Sequence, residues 1–313
     1  MKTQLIDLLI CPTCLPLELE LVCQIEERDG DDILTGFLKC QDCGTLYIIQ
    51  DGIASLLPRT KGKKREKPSK YESSSVISSY LWSHFSDILE EAEASTAYQD
   101  WAELIEHQNG VSLDAGCAVG RFTFEMSVKS DFAVGIDNSD AFISTARKLM
   151  KNRQLAVTMK EEGLLTREKR IQLPKRWNTD KVEFIVGDAQ ALPFRSRSFS
   201  LLASLNLIDK VPMPLGHLEE MNRVAQDADA QFLLSDPFSW SSHIAREENW
   251  LGGTLKGPFS GEGVDNVVGL LAGKKGEFSP PWKIDKQGHV WWKIRTHRNH
   301  FEFIRSCFIK ASR

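Results

Sequence analysis

The chain has 313 residues, of which 42% are hydrophobic and 26% charged, with a net charge of −4. That balance is ordinary for a globular chain and excludes collagen-like, coiled-coil and wholly disordered architectures. The length suggests two domains at roughly 150 residues each, and no apolar run reaches the roughly 18–20 residues of a membrane span. The opening MKTQLIDLLICP is interrupted by Asp7 and lacks a small-residue cleavage site, so no signal peptide is expected and the expected compartment is the cytoplasm. Charge is spread unevenly: residues 1–58 carry −7, 59–70 carry +6, 71–281 carry −9 and 282–313 carry +6. A basic hinge of this kind reads first as a solvated linker and only second as a nucleic-acid contact.

The head, residues 1–58, holds two cysteine pairs, Cys11-Pro-Thr-Cys14 and Cys40-Gln-Asp-Cys43. Two residues between cysteines let one tight turn aim both sulfurs at one ion, and two such turns supply the four thiolates of a structural Zn²⁺ site. Such a site is closed, so it is expected to hold the fold and perform no chemistry. Seven cysteines without a secretory signal argue against a disulfide framework. A head of this size builds a poor core alone, and a metal staple would supply what it lacks. The frame LIDLLICPTC, the second cysteine pair, then Tyr47, Ile49, Asp51, Gly52, Ile53 and Leu56-Leu57-Pro58 resembles the small zinc-ribbon family that activates tRNA and protein methyltransferases. The resemblance implies a module that stabilises and positions a methyltransferase.

Residues 59–75 are nearly all Lys, Arg, Ser, Gly and Pro and read as a flexible basic linker. Over 76–108 apolar residues recur at helical spacing, with Tyr80, Trp82, Phe85, Ile88 and Leu89, then Trp101, Leu104 and Ile105. Such a stripe is expected to be core, with a lid over a ligand site as the minor alternative.

The most informative stretch is Val111 to Arg121. An apolar strand ends at Asp114, and a turn through Gly116 and Gly120 leads into a helix. A second strand ends at Asp137, placed to bind ribose hydroxyls. Dinucleotide sites use GxGxxG and seat a pyrophosphate on the helix N-terminus. Here a carboxylate precedes the glycine, which repels a pyrophosphate and suits a cationic ligand such as S-adenosylmethionine. A third strand ends in Asp188-Ala189, a fourth in Asn206, and a helix and a fifth strand, 231–235, follow. This order resembles the class I S-adenosylmethionine-dependent methyltransferases over residues 76–313. The fold expected is α/β, a Rossmann-like seven-stranded methyltransferase domain preceded by the zinc ribbon. The resemblance implies that Asp114, Gly116 and Gly120 line the methionine part of the cofactor, that Asp137 takes the ribose, that Asp188 and Ala189 meet the adenine, and that Asn206 faces the cofactor. Two departures stand out. Asp227-Ala-Asp-Ala replaces the usual Pro-Gly-Gly turn, and residues 151–181, net +5, are long for the connection they make. That insertion is read as exposed, with a lid or an RNA-facing arm as alternatives.

The sulfonium methyl is already activated, so no universal motif marks a catalytic residue. The acceptor site is expected in the last third of the chain. Asn206-Leu-Ile-Asp-Lys, Ser235-Asp-Pro-Phe-Ser-Trp240, Glu248-Asn-Trp-Leu-Gly-Gly253 and Ile294-Arg-Thr-His-Arg298 resemble the methyltransferase domain of ovothiol synthases. That resemblance implies an imidazole nitrogen as the kind of atom methylated, although the sulfoxide-forming partner domain is absent. Trp240, Asn249, Trp250 and Arg298 are the pocket candidates, and Asp236 and His297 the candidates for orienting the acceptor or taking a proton. Trp291 and Trp292 read as packing. The acceptor expected first is a small molecule. An RNA or translation-factor acceptor is the alternative, and a non-catalytic cofactor-binding scaffold the second.

Overall fold

The computed structural model describes residues 1–59, 70–274, 276 and 278–313. Most of the expected linker, 60–69, therefore lies outside the described residues. In the head, two short 3-10 helices, Thr3–Leu8 and Pro12–Cys14, precede four strands: β1 Leu21–Asp29, β2 Asp32–Cys40, β3 Leu46–Gln50 and β4 Ile53–Leu56. Asp51 and Gly52 join β3 to β4 with φ of 51° and 76°, the left-handed pair that an Asp-Gly hairpin turn requires.

The body opens with α1 Ser74–Phe85, capped by the Ser73 hydroxyl, and α2 Ala97–Leu104. Then come β5 Val111–Ala115, α3 Arg121–Met126, β6 Phe132–Asp137 and α4 Asp140–Asn152. The long insertion folds into a separate two-stranded hairpin, β7 Gln154–Glu162 and β8 Leu165–Gln172. After it follow β9 Val182–Gly187, β10 Phe199–Leu205, α5 Pro214–Val224, β11 Gln231–Asp236, α6 Gly263–Leu271, β12 Lys283–His297 and β13 His300–Ser312. No helix among the described residues is long and apolar enough to cross a membrane.

The body strands lie in the order β9-β6-β5-β10-β11-β13-β12, parallel except for β13, which runs antiparallel to both its neighbours. This is the seven-stranded Rossmann-like arrangement. The five parallel strands are apolar and almost wholly buried, as a sheet covered on both faces demands. Chain order reverses at β5, which pairs with β6 on one side and β10 on the other. Ligands bind at such a switch point, outside the carboxyl ends of the strands. In the Asp227-Ala-Asp-Ala turn before β11, Asp229 adopts the left-handed conformation, φ 56°. An aspartate tolerates that geometry better than most side chains do.

The head is welded to the body. Ser55 and Leu56 of β4 pair in parallel with Val186 and Gly187 of β9, so the two sheets become one of eleven strands. Leu5, Leu9, Leu38, Ile49 and Leu56 of the head share a core with Leu113, Ile136, Ile185, Phe194 and Phe199 of the body. Burying each side chain of this size stabilises by about 1.5–3 kcal/mol. A charged seam flanks the contact: Arg147 of α4 pairs with Glu183 of β9 and, at 2.9 Å, with Asp32 of β2. Lys2 Nζ donates to the carbonyls of Thr179 and Val182 at 2.8 and 2.6 Å. Elsewhere along the contact, Glu18 accepts from Ser196 N and Arg223 Nη1.

The β7–β8 hairpin packs on α1, where Ser78 Oγ donates to Thr158 O at 2.8 Å. Much of its positive charge is met within the chain: Lys169 pairs with Glu91 and Arg167 with Glu161.

Candidate active site

At the carboxyl end of β5 the backbone turns through three left-handed residues in five, Gly116, Ala118 and Gly120, with φ of 76°, 46° and 86°. The amides of Gly116 and Cys117 both donate to Ile136 O, which ties the turn to β6. Asp137, ending β6, accepts from Ala118 N through Oδ2 and from Ser139 N through Oδ1, both at 3.0 Å. Asp114 accepts from Thr123 Oγ1 at 2.7 Å. Burial disfavours the ionised form of each acid, pushing Asp114 up to about 7 and Asp137 to about 6. Neither has an ion-pair partner among the described residues.

Gly120 sits behind the turn. A Cβ there would lie 2.6 Å from the Phe184 ring and 3.1 Å from Ala146, in a conformation side chains rarely adopt. Gly120→Ala is expected to cost about 2–4 kcal/mol in denaturant unfolding, from left-handed strain plus overpacking, and to loosen the turn. An unchanged unfolding midpoint would show that the turn tolerates a side chain.

At the end of β9, Asp188 Oδ1 accepts from Gln190 N at 2.9 Å, and Ala189 O lies 3.0 Å from His217 Nδ1. His217 is wholly buried, which lowers its pKa and keeps it neutral. At the end of β10, Asn206 takes φ 54°. Trp292 Nε1 donates to Ser306 Oγ at 3.1 Å, and Ser306 Oγ lies 2.5 Å from Asn206 Oδ1. An indole N–H only donates, which leaves the serine proton for Asn206 Oδ1 and fixes the amide. Its Nδ2 donors have no partner among the described residues.

These strand ends surround a cavity of about 750 Å³, within the usual range for small-ligand sites. Asp114, Gly116, Asp137, Asp188, Ala189 and Asn206 line it together, and Gly120 shapes the turn without lining it. Further wall comes from Tyr71, Tyr80, His84 and Tyr98 on one side and Trp292, Ile294, Thr296 and Ile304 on another. His84 Nε2 lies 2.6 Å from Tyr98 Oη. Burial pushes His84 down to about 3 and Tyr98 well above its usual range, so the pair is neutral. The aromatic stripe of α1 therefore divides: Leu81, Trp82 and Phe85 are core, while Val76, Ser79, Tyr80 and His84 face the cavity. The i, i+4 spacing of Tyr80 and His84 was the available signal.

None of the six acceptor-site candidates from the sequence lines this cavity. Trp240 stacks on Trp250 at 6.3 Å behind the β11 loop, and Trp250 Nε1 donates to Ala245 O. Asn249 donates to Pro212 O. Asp236 is buried and accepts from Phe238 N at 2.7 Å; burial and the neighbouring Asp209 raise its pKa well above the usual range. His297 stacks on His300 at the β12–β13 turn. Arg298 is exposed, with its amide donating to Glu161 O. Neighbours of some of these residues do reach the cavity: Pro212, Pro237, Ser239, Thr296 and, on the β10 loop, Lys210.

In the head, the sulfurs of Cys11, Cys14, Cys40 and Cys43 lie within 4.8 Å of one another. Cys11–Cys43 and Cys14–Cys40 are 3.7 and 3.9 Å apart. A tetrahedron with metal–sulfur distances of about 2.3 Å has edges of about 3.8 Å, so the set fits a four-thiolate metal site. Tyr47 Oη, 3.1 Å from Cys11 Sγ, and Thr45 Oγ1, 3.1 Å from Cys43 Sγ, add hydrogen bonds that orient the ligands.

Residues 113–228 match the family model described as a methyltransferase domain. The protein is a methyltransferase. The match runs from β5 to the turn after α5 and includes the whole acid-and-glycine set. No curated protein matches the chain. Among solved structures, an S-adenosylmethionine-dependent methyltransferase from Methanosarcina mazei is 20% identical, covers 67% of this chain and 94% of its own, and gives a TM-score of 0.42. A chain from the complex between the Haloferax volcanii Trm112 methyltransferase activator and a methyltransferase is 12% identical over 79% of this chain and 99% of its own, TM-score 0.44. An S-adenosylmethionine-dependent methyltransferase from Aquifex aeolicus is 14% identical over 76% of this chain and 97% of its own, TM-score 0.43.

Proposed function

We propose that the enzyme transfers the methyl group of S-adenosylmethionine by in-line displacement to a nitrogen, or another heteroatom, of a small planar acceptor. The observation that carries this reading is the pair of carboxylates flanking the glycine turn, Asp114 buried and Asp137 half-buried, with no cation of their own among the described residues. Such a turn is costly to leave empty of positive charge and would repel a diphosphate. A ligand bearing an ammonium and a sulfonium answers it. In this reading Asp137 accepts from the ribose hydroxyls, Asp188 and Ala189 border the adenine, and Asn206 presents its amide beside the reacting end. When bound, the donor supplies the activated methyl; the protein supplies alignment and a dry pocket.

The acceptor would lie against Trp292, Ile294 and Thr296, with Tyr71 and Tyr80 opposite. An aromatic wall suits a heterocycle, and the resemblance of the C-terminal motifs to ovothiol synthase supports a ring nitrogen. The cysteine cluster is read as a structural zinc site, held by Cys11, Cys14, Cys40 and Cys43, in a ribbon that docks on its own methyltransferase domain. Residues 1–58 are read as the ribbon and 76–313 as the methyltransferase domain, with the basic linker 59–75 between them; its last residues, from Lys70 on, belong to the body, where Tyr71 lines the cavity and Glu72 accepts from Ala141 N.

The test is incubation of the purified protein with methyl-labelled S-adenosylmethionine and fractionated cell extract. Label is expected in the small-metabolite fraction. Label confined to RNA or protein would overturn the acceptor class, and stoichiometric donor binding with no turnover on any fraction would overturn catalysis.

A further inference from the structure

The β12–β13 hairpin shows two different faces. Val290, Trp292 and Ser306 are buried, and Trp292 reaches the cavity wall. The alternate residues point the other way, so the two adjacent tryptophans, alike in sequence, part company. Trp291 is 48% exposed and Phe303 60% exposed. Their rings stack at 4.6 Å, with 19° between planes. Cations bracket the stack: Lys293 Nζ is 5.7 Å from the Phe303 ring and the Arg305 guanidinium 5.9 Å from Trp291. His289 lies against Arg305 at 3.1 Å. Two large aromatics held in the open, together with fixed cations, are an expensive surface to leave to water.

The edge of this hairpin is not what is on offer. Ser83 Oγ donates to Lys293 O and Ser95 Oγ to Trp291 O, so carbonyls of β12 that a further strand would use are already bonded. A second copy of the chain laid face to face would set Lys293 and Arg305 against their like. The composition favours a partner that brings flat rings and negative charge at close intervals.

We propose that this outer face binds single-stranded RNA, with an unpaired base stacking on the Trp291–Phe303 pair and flanking phosphates meeting Lys293 and Arg305. Unpaired bases offer a π-face to aromatic side chains, and RNA displays them in loops and at ends. The segment bearing the face, residues 282–313, carries a net +6. This site is separate from the cavity and does not rest on the donor assignment.

The test is fluorescence anisotropy of the full chain with a labelled, unstructured RNA dodecamer of mixed sequence, titrated at several salt concentrations. Wild type is expected to bind and to weaken as salt rises, with a log–log slope of about −0.7 for each phosphate engaged. The double variant Trp291→Ala/Phe303→Ala is expected to bind at least tenfold more weakly, with its thermal unfolding midpoint preserved. Lys293→Gln/Arg305→Gln, which keeps the stack, is expected to flatten the salt slope. Equal RNA binding by wild type and both variants, no binding at low salt, or a self-association that the aromatic variant abolishes would each overturn the proposal. RNA binding by a chain that fails to bind S-adenosylmethionine would sink the donor reading and leave this one standing.

Discussion

Asp137→Ala is expected to weaken S-adenosylmethionine binding at least tenfold. The carboxylate is held by two backbone amides at the end of β6, so its position does not depend on the ligand. Hydrogen bonds from ligand hydroxyls to a charged group are worth roughly 1.5–3 kcal/mol, and about 1.4 kcal/mol already makes a factor of ten. The same residue gives a pH signature. Burial raises its pKa to about 6, and that of Asp114 to about 7, while the donor favours the ionised forms. Donor affinity should therefore be full above pH 7 and fall as pH drops through 7 to 6, with protons released on binding. The ligand-free protein should show the opposite trend. Both acids hold protons more tightly folded than unfolded, so between about pH 4 and 7 their contribution to stability grows as pH falls. Calorimetry in buffers of differing ionisation heat reads the first effect, and denaturant unfolding across pH the second. An Asp137→Ala variant that binds the donor like wild type would remove the ribose assignment.

Cys40→Ser is expected to damage the donor site as well as the head. A ribbon tethered only by its linker would unfold on metal loss and leave the cavity untouched. Here β4 is the lateral neighbour of β9, and Leu56 pairs with Gly187, the residue before Asp188-Ala189. Freeing β4 unzips the edge of β9 beside Asp188 and Ala189 and opens the core shared by Leu5, Leu9, Ile185 and Phe194. Structural zinc sites carry much of the folding free energy of the modules they hold. A fall in thermal midpoint on the order of 10 °C is expected, since each kcal/mol is worth about 2–4 °C in a chain of this size class. Donor affinity should fall with it. Metal analysis, scanning calorimetry and donor titration of Cys40→Ser, beside chelator-treated wild type, would check both. Unchanged donor affinity after complete metal loss would mean that β9 keeps its geometry unaided.

The strand-end wall of the cavity was legible because its pattern is written locally. A strand end, a glycine turn and an acid follow one another along the chain, and the fold needs only to stack neighbouring units for Asp114, Asp137, Asp188 and Asn206 to meet. The four cysteines were legible for the same reason. The other walls were not. Tyr80 and His84 share one short helix with Trp82 and Phe85, and spacing alone does not say which face meets the sheet and which meets the cavity. Trp240, Trp250, Arg298 and His297 carry conspicuous chemistry, yet the β11 loop folds the tryptophans onto each other and the hairpin turn carries the other two to its tip. Alternation along β12 separates Trp291 from Trp292, a distinction that depends on which side of the strand is covered. That is set by α1, some 200 residues away in sequence.

The union of β4 with β9 also bears on how this enzyme is assembled. Two separate polypeptides meeting along such an edge would dissociate on dilution, and the fraction of complete enzyme would follow the supply of the scarcer one. A covalent tether makes the encounter intramolecular, so it no longer depends on the concentration of a second chain. Every copy of this chain thus carries its own supporting strand, and an outside protein seeking the same edge of β9 must compete with an occupant that never diffuses away.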